Sequence, residues 1–191
     1  LIHPNILRVY DFVEDANCAA VSMDRFDGES LAVLLKSRGQ FDAGEVKPWL
    51  SQIAETVGDA HRIQLFHRDL APANVFLRPN GALLLANFGV SRAILNALER
   101  AGLAKGESAH IAYLSPQQLD GERPCASDDV YGFGALLYEL LTGRPPFAGE
   151  DLVPKIRREI PQRMSDVRAG GEALPASWEK AVAACLAKNP E

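Results

Sequence analysis

The loop His67–Asn74 and the two short apolar runs that follow it constrain the fold of this chain more than any other stretch. The runs Val75–Arg78 and Leu83–Leu85 are separated by the turn-forming residues Pro79–Gly81, which is the pattern of a β-hairpin. A hairpin at this point returns Asn87–Gly89 to the side of the loop. The sequence therefore predicts that two polar motifs face each other.

Asp69 and Asn74 give this loop its chemistry, because they lie five residues apart on a short segment. A carboxylate can accept a proton from a substrate hydroxyl while a nearby asparagine oxygen ligates a magnesium ion that is bound to phosphate. This pair of residue types at this spacing is typical of phosphoryl transfer.

The loop and the motif after it resemble the protein kinase family, whose catalytic loop reads His-Arg-Asp-Leu, with an asparagine five residues after the aspartate, and is followed by Asp-Phe-Gly. The resemblance implies that Asp69 is the catalytic base, that Asn74 is a magnesium ligand and that Arg68 pairs with a phosphate on the activation segment. It implies ATP and magnesium as cofactors and a protein substrate or regulated partner protein. The motif residues with implied structural roles are His67, Phe88 and Gly89.

Three positions depart from the family pattern. Asn87 stands where the family has a metal-binding aspartate, which weakens the magnesium site because a full negative charge is missing. Ala71 and His110 stand where serine/threonine kinases have a phosphate-contacting lysine and a threonine that bonds the catalytic aspartate. These exchanges favour a pseudokinase with a regulatory or scaffolding role that still binds ATP, with Asn87 and Asn74 as weak metal ligands. The alternative is an active serine/threonine kinase with Asp69 as base; a small-molecule phosphotransferase is less favoured.

The first part of the chain resembles the end of the kinase small lobe. Leu7–Phe12 and Ala19–Met23 have strand patterns. By the resemblance, Met23 is the gatekeeper beside the adenine pocket, with a core methionine as the alternative, and Asp24 and Phe26 belong to the hinge that bonds adenine. We expect residues 1–26 to form the end of the small lobe and the hinge, and residues 27–191 the large lobe, of a kinase domain truncated at both ends.

The remaining patterns predict helices, so the expected fold is α+β, predominantly α, and protein-kinase-like. Apolar residues at three- and four-residue steps indicate a long helix that begins at Asp42 or Ala43 and ends near His61, which we interpret as structural. The other predicted helices are Leu31–Ser37, Ala93–Ala101, one that begins near Ser127 and ends at Gly143, Asp151–Glu159, and one that contains Trp178, Val182, Cys185 and Leu186.

Two further residues have structural roles by the resemblance. Pro116 anchors the end of the activation segment, where Gln117 replaces a family glutamate. Asp129, on the central helix, braces the catalytic loop. Ser91 and Ser108 are serines between Gly89 and Pro116 at which phosphorylation could pair with Arg68.

The composition of this 191-residue chain limits the classes of partner that it is expected to bind. A net charge of -5 gives no basic field, so nucleic acid and anionic lipid are not expected partners. No run approaches the roughly 18 apolar residues of a membrane span, so no membrane contact is expected within this segment. The three cysteines lack metal-site spacing, which favours reduced core thiols and a cytoplasmic location.

Overall fold

The computed structural model describes residues 2–14, 19–88, 111–170 and 173–190. Within these ranges the chain has the expected α+β fold, with more helix than strand. The strands are β1 (Val9–Glu14), β2 (Ala19–Met23), β3 (Glu29–Ser30), β4 (Val75–Leu77) and β5 (Leu83–Leu85). The helices are α1 (Leu31–Arg38), α2 (Ala43–Arg62), α3 (Pro116–Leu119), α4 (Ala126–Thr142), α5 (Leu152–Arg158), α6 (Met164–Val167) and α7 (Ala176–Cys185).

The predicted hairpin is confirmed as the antiparallel pair β4–β5, in which Val75 lies opposite Leu85. Its turn is closed by Asn80, whose side-chain oxygen accepts a hydrogen bond from the Ala82 N–H at 3.1 Å. Gly81 has a φ of 83°, in the left-handed region that glycine adopts without strain. The strand β3 pairs with the other edge of β4, which gives an order of β3-β4-β5, while β1 and β2 form a separate antiparallel pair.

The first strand begins later than the sequence predicts, at Val9 rather than Leu7. The residues before it pair with β5 instead. Leu7 N–H donates to the Leu85 carbonyl at 2.8 Å, and Leu85 N–H donates to the Asn5 carbonyl at 2.7 Å. The start of the chain is therefore attached to the hairpin that carries the two motifs.

Helix α4 lies at the centre of the core, and its residues Leu136, Leu140 and Leu141 are completely buried. Helix α2 packs against it with the face that the periodicity predicts, whose buried members are Val46, Trp49, Ile53, Val57 and Ala60. Four residues assigned to buried faces are less buried than expected: Leu50 and Phe133 are half-buried, and Ala54 and Val130 are exposed. They line open grooves beside α7, which explains their accessibility.

The first turns of two helices differ from the sequence predictions. Helix α4 begins at Ala126, one residue before the predicted start near Ser127, because the Asp128 side chain reaches back to the Cys125 N–H at 3.1 Å. Helix α2 begins at Ala43, within the predicted range, and contains Pro48 in its second turn. The short helices α3 and α6 were not predicted, and the predicted helix over residues 93–101 lies outside the described residues.

The described cysteines, Cys125 and Cys185, are free thiols as expected, but both are half-buried rather than part of the core. Cys18 lies outside the described residues. Over the ranges that the structure describes, the helices are too short or too polar to cross a membrane.

Candidate active site

Asp129, in the first turn of α4, organises the beginning of the loop. Its side chain is 1% exposed and accepts hydrogen bonds from the backbone N–H groups of His67 at 2.8 Å and Arg68 at 2.6 Å. It also bonds His61 Nε2, in the last turn of α2, at 2.7 Å. His61 is thus structural through Asp129, whereas the sequence suggested only a preference of helix ends for histidine.

His67 connects the loop to the second motif. Its ring is buried and lies 4.5 Å from the Phe88 ring, centroid to centroid, at an interplanar angle of 53°. Nδ1 accepts a hydrogen bond from the Asp69 N–H at 3.3 Å, so the proton of the neutral ring is on Nε2. Burial lowers the pKa of His67, which keeps the ring neutral at physiological pH. The pair His67–Phe88 therefore holds the two motifs together by packing.

Asp69, Asn74 and Asn87 form one hydrogen-bonded chain. Asn74 Nδ2 donates to the Asp69 backbone carbonyl at 2.8 Å and to the Asp69 carboxylate at 3.0 Å. Because a backbone carbonyl only accepts, the atom of Asn74 that faces Asp69 is its NH2 group, and its oxygen faces Asn87. Asn87 Nδ2 accordingly donates to Asn74 Oδ1 at 2.8 Å. We call these three residues the amide chain.

The backbone holds the amide chain in place. Asn87 has a φ of 66°, in the left-handed region that asparagine tolerates better than most residues. The Ala86 N–H donates to the Asn74 carbonyl at 2.9 Å, which fixes the distance between the two motifs. Arg68 also has a positive φ, of 68°. The loop and the second motif thus each have one non-glycine residue in a sparsely populated conformation, as functional segments commonly do.

The Pro116 anchor contacts the loop through its neighbours. Pro116 is the first residue of α3, and Ser115 caps this helix in a capping box with Gln118. Gln118 Nε2 donates to the Arg68 carbonyl at 2.9 Å. Gln117 Nε2 donates to the Lys188 carbonyl at 2.8 Å, so a neutral hydrogen bond occupies this position. No sequence pattern indicates the role of Gln118, because its partner is fifty residues away.

Of the predicted hinge residues, Phe26 contacts the hairpin, whereas Asp24 bonds residues before β2. Met23 ends β2 and is 38% exposed. The Asp24 N–H donates to the Arg8 carbonyl at 2.9 Å, and its side chain accepts a hydrogen bond from the Tyr10 hydroxyl. The Phe26 ring meets the Phe76 ring edge-on at a centroid distance of 4.6 Å. Because β4 begins directly after Asn74, this contact places Phe26 near the amide chain.

A cavity of about 300 Å³ lies next to the loop, between α1 and the end of α4. Its lining includes Lys36, Ala71, Ala73, Tyr113 and Glu139. The Tyr113 hydroxyl donates to the Glu139 carboxylate. Burial raises the pKa of both groups. Sequence reasoning missed this pair, since its two residues lie in separate elements that follow no shared pattern.

Glu139 should make stability fall as pH rises. Its folded pKa lies above its ordinary value of 4.5, so the folded protein holds a proton that the unfolded chain releases. From pH 4.5 upward we therefore expect the wild type to lose stability relative to Glu139→Gln, whose amide still accepts the Tyr113 hydroxyl. Urea unfolding of both proteins from pH 4 to pH 8 measures the difference.

Tyr113→Phe sharpens this test. The Tyr113 hydrogen bond lowers the pKa of Glu139, so its removal should raise that pKa further and steepen the loss of stability with pH. A stability difference between wild type and Glu139→Gln that does not change with pH would contradict the assignment.

Comparison with known protein families decides what these features belong to. The family model described as protein kinase domain matches residues 1–191, the whole chain. The chain belongs to the protein kinase family. Its fold, with the loop, the hairpin and the central helix in this order, is that of the kinase domain.

Curated relatives of this kinase domain are bacterial serine/threonine-protein kinases. It is 34% identical to serine/threonine-protein kinase PkaA of Streptomyces coelicolor, over 100% of the chain and 35% of the relative. It is 31% identical to PknB of Mycobacterium tuberculosis, over 100% of the chain and 31% of the relative. Identity to PrkC of Bacillus subtilis is 30%, over 100% of the chain and 29% of the relative. The chain thus spans about a third of the length of these relatives.

Several predicted site positions lie outside the described residues. These are Gly89, His110 and the two serines Ser91 and Ser108. The structure brings together Asp69, Asn74, Asn87 and Phe88 with the supporting residues His67 and Asp129. Members of the protein kinase family use ATP as phosphate donor and magnesium as cofactor.

Proposed function

We propose that this kinase domain is catalytically impaired and acts by presenting its large lobe to a partner protein, with ATP binding retained. The observation that carries the proposal is the hydrogen bond from Asn87 to Asn74 Oδ1. In an active kinase the residue at position 87 is a carboxylate that binds magnesium. Here the residue is Asn87, whose amide donates a hydrogen bond to Asn74 Oδ1, the oxygen that would be the second magnesium ligand.

The donor set of the amide chain does not fit a magnesium site of the family's kind. Magnesium is a hard cation that prefers carboxylate oxygens. Asn74 Nδ2 is directed at Asp69, and Asn74 Oδ1 accepts from Asn87, so both polar atoms of Asn74 already have partners. A cation at Asn74 would share an oxygen that already accepts a hydrogen bond and would gain no negative charge from Asn87.

Ala71 supports impaired transfer independently. Its methyl group is buried in the loop, at the position where serine/threonine kinases place a lysine on the transferred phosphate. Losing one electrostatic group at a transfer site typically costs a factor of about 10² to 10³ in rate. Such losses are not additive, but no member of the amide chain supplies a positive charge in compensation.

A second candidate function, an active serine/threonine kinase, is favoured by one observation. Asn74 bonds both the carbonyl and the carboxylate of Asp69, so the candidate base is held in a defined position. In this reading Asp69 accepts the proton of a substrate hydroxyl, while Asn74 only orients it. The two candidates differ in a single measurable quantity, which is phosphate transfer.

We expect no transfer of phosphate from labelled ATP to protein by the full-length protein, with magnesium or with manganese. Wild type and Asp69→Ala should give the same background, because Asp69 then has only an architectural role. Incorporation of label that Asp69→Ala abolishes would establish the second candidate instead. Asn87→Asp adds to the test: a large gain would mean that the site is otherwise competent, and no gain would mean that Ala71 also limits it.

Other assignments belong to the same proposal. Residues 1–26 would be the end of the small lobe with the hinge, where Met23, Asp24 and Phe26 border the adenine pocket, and residues 27–191 the large lobe. Arg68 would receive a phosphate from the activation segment. Arg68 Nε is buried and has no hydrogen-bond partner among the described residues, which supports an anion there.

A further inference from the structure

The direction of the hydrogen bonds in the amide chain determines which groups can bind nucleotide phosphates. This inference rests on the proposed function. In the described part of the chain both polar atoms of Asn74 have partners: its NH2 group donates to Asp69, and one of the two lone pairs on its oxygen accepts from Asn87. An asparagine NH2 group has two hydrogens, and Asn87 uses one of them on Asn74. The second hydrogen is a donor suited to a phosphate oxygen.

The charge of the amide chain also favours direct contact between Asn87 and phosphate. A site with carboxylates at both 69 and 87 repels a triphosphate unless a divalent cation lies between them. With Asn87 only one carboxylate remains, and Asp69 is 8% exposed and hydrogen-bonded by Asn74. The exchange therefore removes the main reason why a nucleotide would need a metal partner.

Asn87 is also held where it can serve as a donor. Its backbone adopts a φ of 66°, and the adjacent Ala86 N–H is fixed to the Asn74 carbonyl at 2.9 Å. Phe88 packs on buried His67. A donor that is positioned before binding contributes more than one that must first be ordered.

We infer that the site formed by the amide chain binds a nucleoside triphosphate without a divalent cation, with the Asn87 amide donating to phosphate in place of a metal bridge. In ordinary kinase sites the metal joins protein and phosphate. In this chain the protein contacts the phosphate directly, and magnesium is not required.

Isothermal titration of the full-length protein with ATP, once in EDTA and once in excess magnesium chloride, tests the inference. For wild type we expect the two dissociation constants to differ by less than about threefold. For Asn87→Asp we expect binding in EDTA to weaken by about tenfold or more and to recover when magnesium is added. Asn80→Asp is the matched control, because it makes the same change of charge in the exposed turn of the hairpin and should leave both constants unchanged.

The outcomes separate this inference from the proposed function. Wild-type binding that requires magnesium would overturn the inference and leave the proposed function untouched. No binding in either buffer would overturn both the inference and the ATP binding of the proposed function, but not the impaired transfer. Phosphate transfer by wild type would overturn the proposed function, whatever the titrations give. The comparison of wild type in two buffers is decisive even if Asn87→Asp fails to fold.

Discussion

Replacing Asp129 with alanine is expected to destabilise the protein by about 3–5 kcal/mol, because it leaves buried donors without an acceptor. The Asp129 carboxylate accepts hydrogen bonds from the backbone N–H groups of His67 and Arg68 and bonds the ring of His61. Each unsatisfied buried donor costs about 1–3 kcal/mol. Urea unfolding followed by circular dichroism measures the loss.

Asp59→Ala provides the matched control for this experiment. Asp59 also forms two contacts, with His3 at 3.5 Å and with Arg62, but its side chain is 41% exposed. Exposed ion pairs contribute about 0–1 kcal/mol, so this variant should remain close to wild type. Equal losses in the two variants would show that Asp129 does not organise the loop.

The parts of the fold that the sequence predicts well are those set by local patterns. The hairpin β4–β5 follows from two apolar runs around Pro79–Gly81, and the core face of α2 follows from its three- and four-residue spacing. Both signals lie within a single segment. The chain needs no distant partner to choose these structures.

The ends of helices and strands depend on hydrogen-bond partners that are remote in sequence. Local sequence patterns do not contain this information. Asp128, in the first turn of α4, accepts a hydrogen bond at 2.5 Å from the Ser115 hydroxyl, thirteen residues earlier in the chain, in addition to the local one from the Cys125 N–H. Leu7 reads as part of a strand with β2, yet it pairs with β5. In both cases a tertiary hydrogen bond decides between two locally acceptable structures.

In the candidate site, too, one part can be predicted from the sequence and another part cannot. Motif resemblance selects Asp69, Asn74 and Asn87, because the residue types and their order suffice. The direction of each hydrogen bond in the amide chain cannot be read from the sequence, since it depends on which atom of Asn74 meets a backbone carbonyl. The proposed nucleotide chemistry depends on that direction, so the structure contributes what the motif alone leaves open.

Gly134→Ala should lower stability by about 1–3 kcal/mol, although alanine is the better helix former. Gly134 lies in α4 where α7 crosses closely. A Cβ at this position would lie 2.6 Å from Cys185 Cβ and 3.2 Å from Leu186 Cγ, so α7 would have to move away from the central helix. Since Leu186 belongs to the core, this movement opens buried contacts. Thermal and urea unfolding both report it.

The same substitution in α2 should have the opposite sign. A Cβ at Gly58 meets no atom within 4 Å, so Gly58→Ala should stabilise the protein by roughly 0.5–1 kcal/mol through helix propensity alone. The pair separates packing from backbone entropy, because the chemical change is identical and only the neighbours differ. If Gly134→Ala were also stabilising, the close approach of α4 and α7 would be wrong. Loss of stability in both variants would instead argue against the unobstructed surface assigned to Gly58.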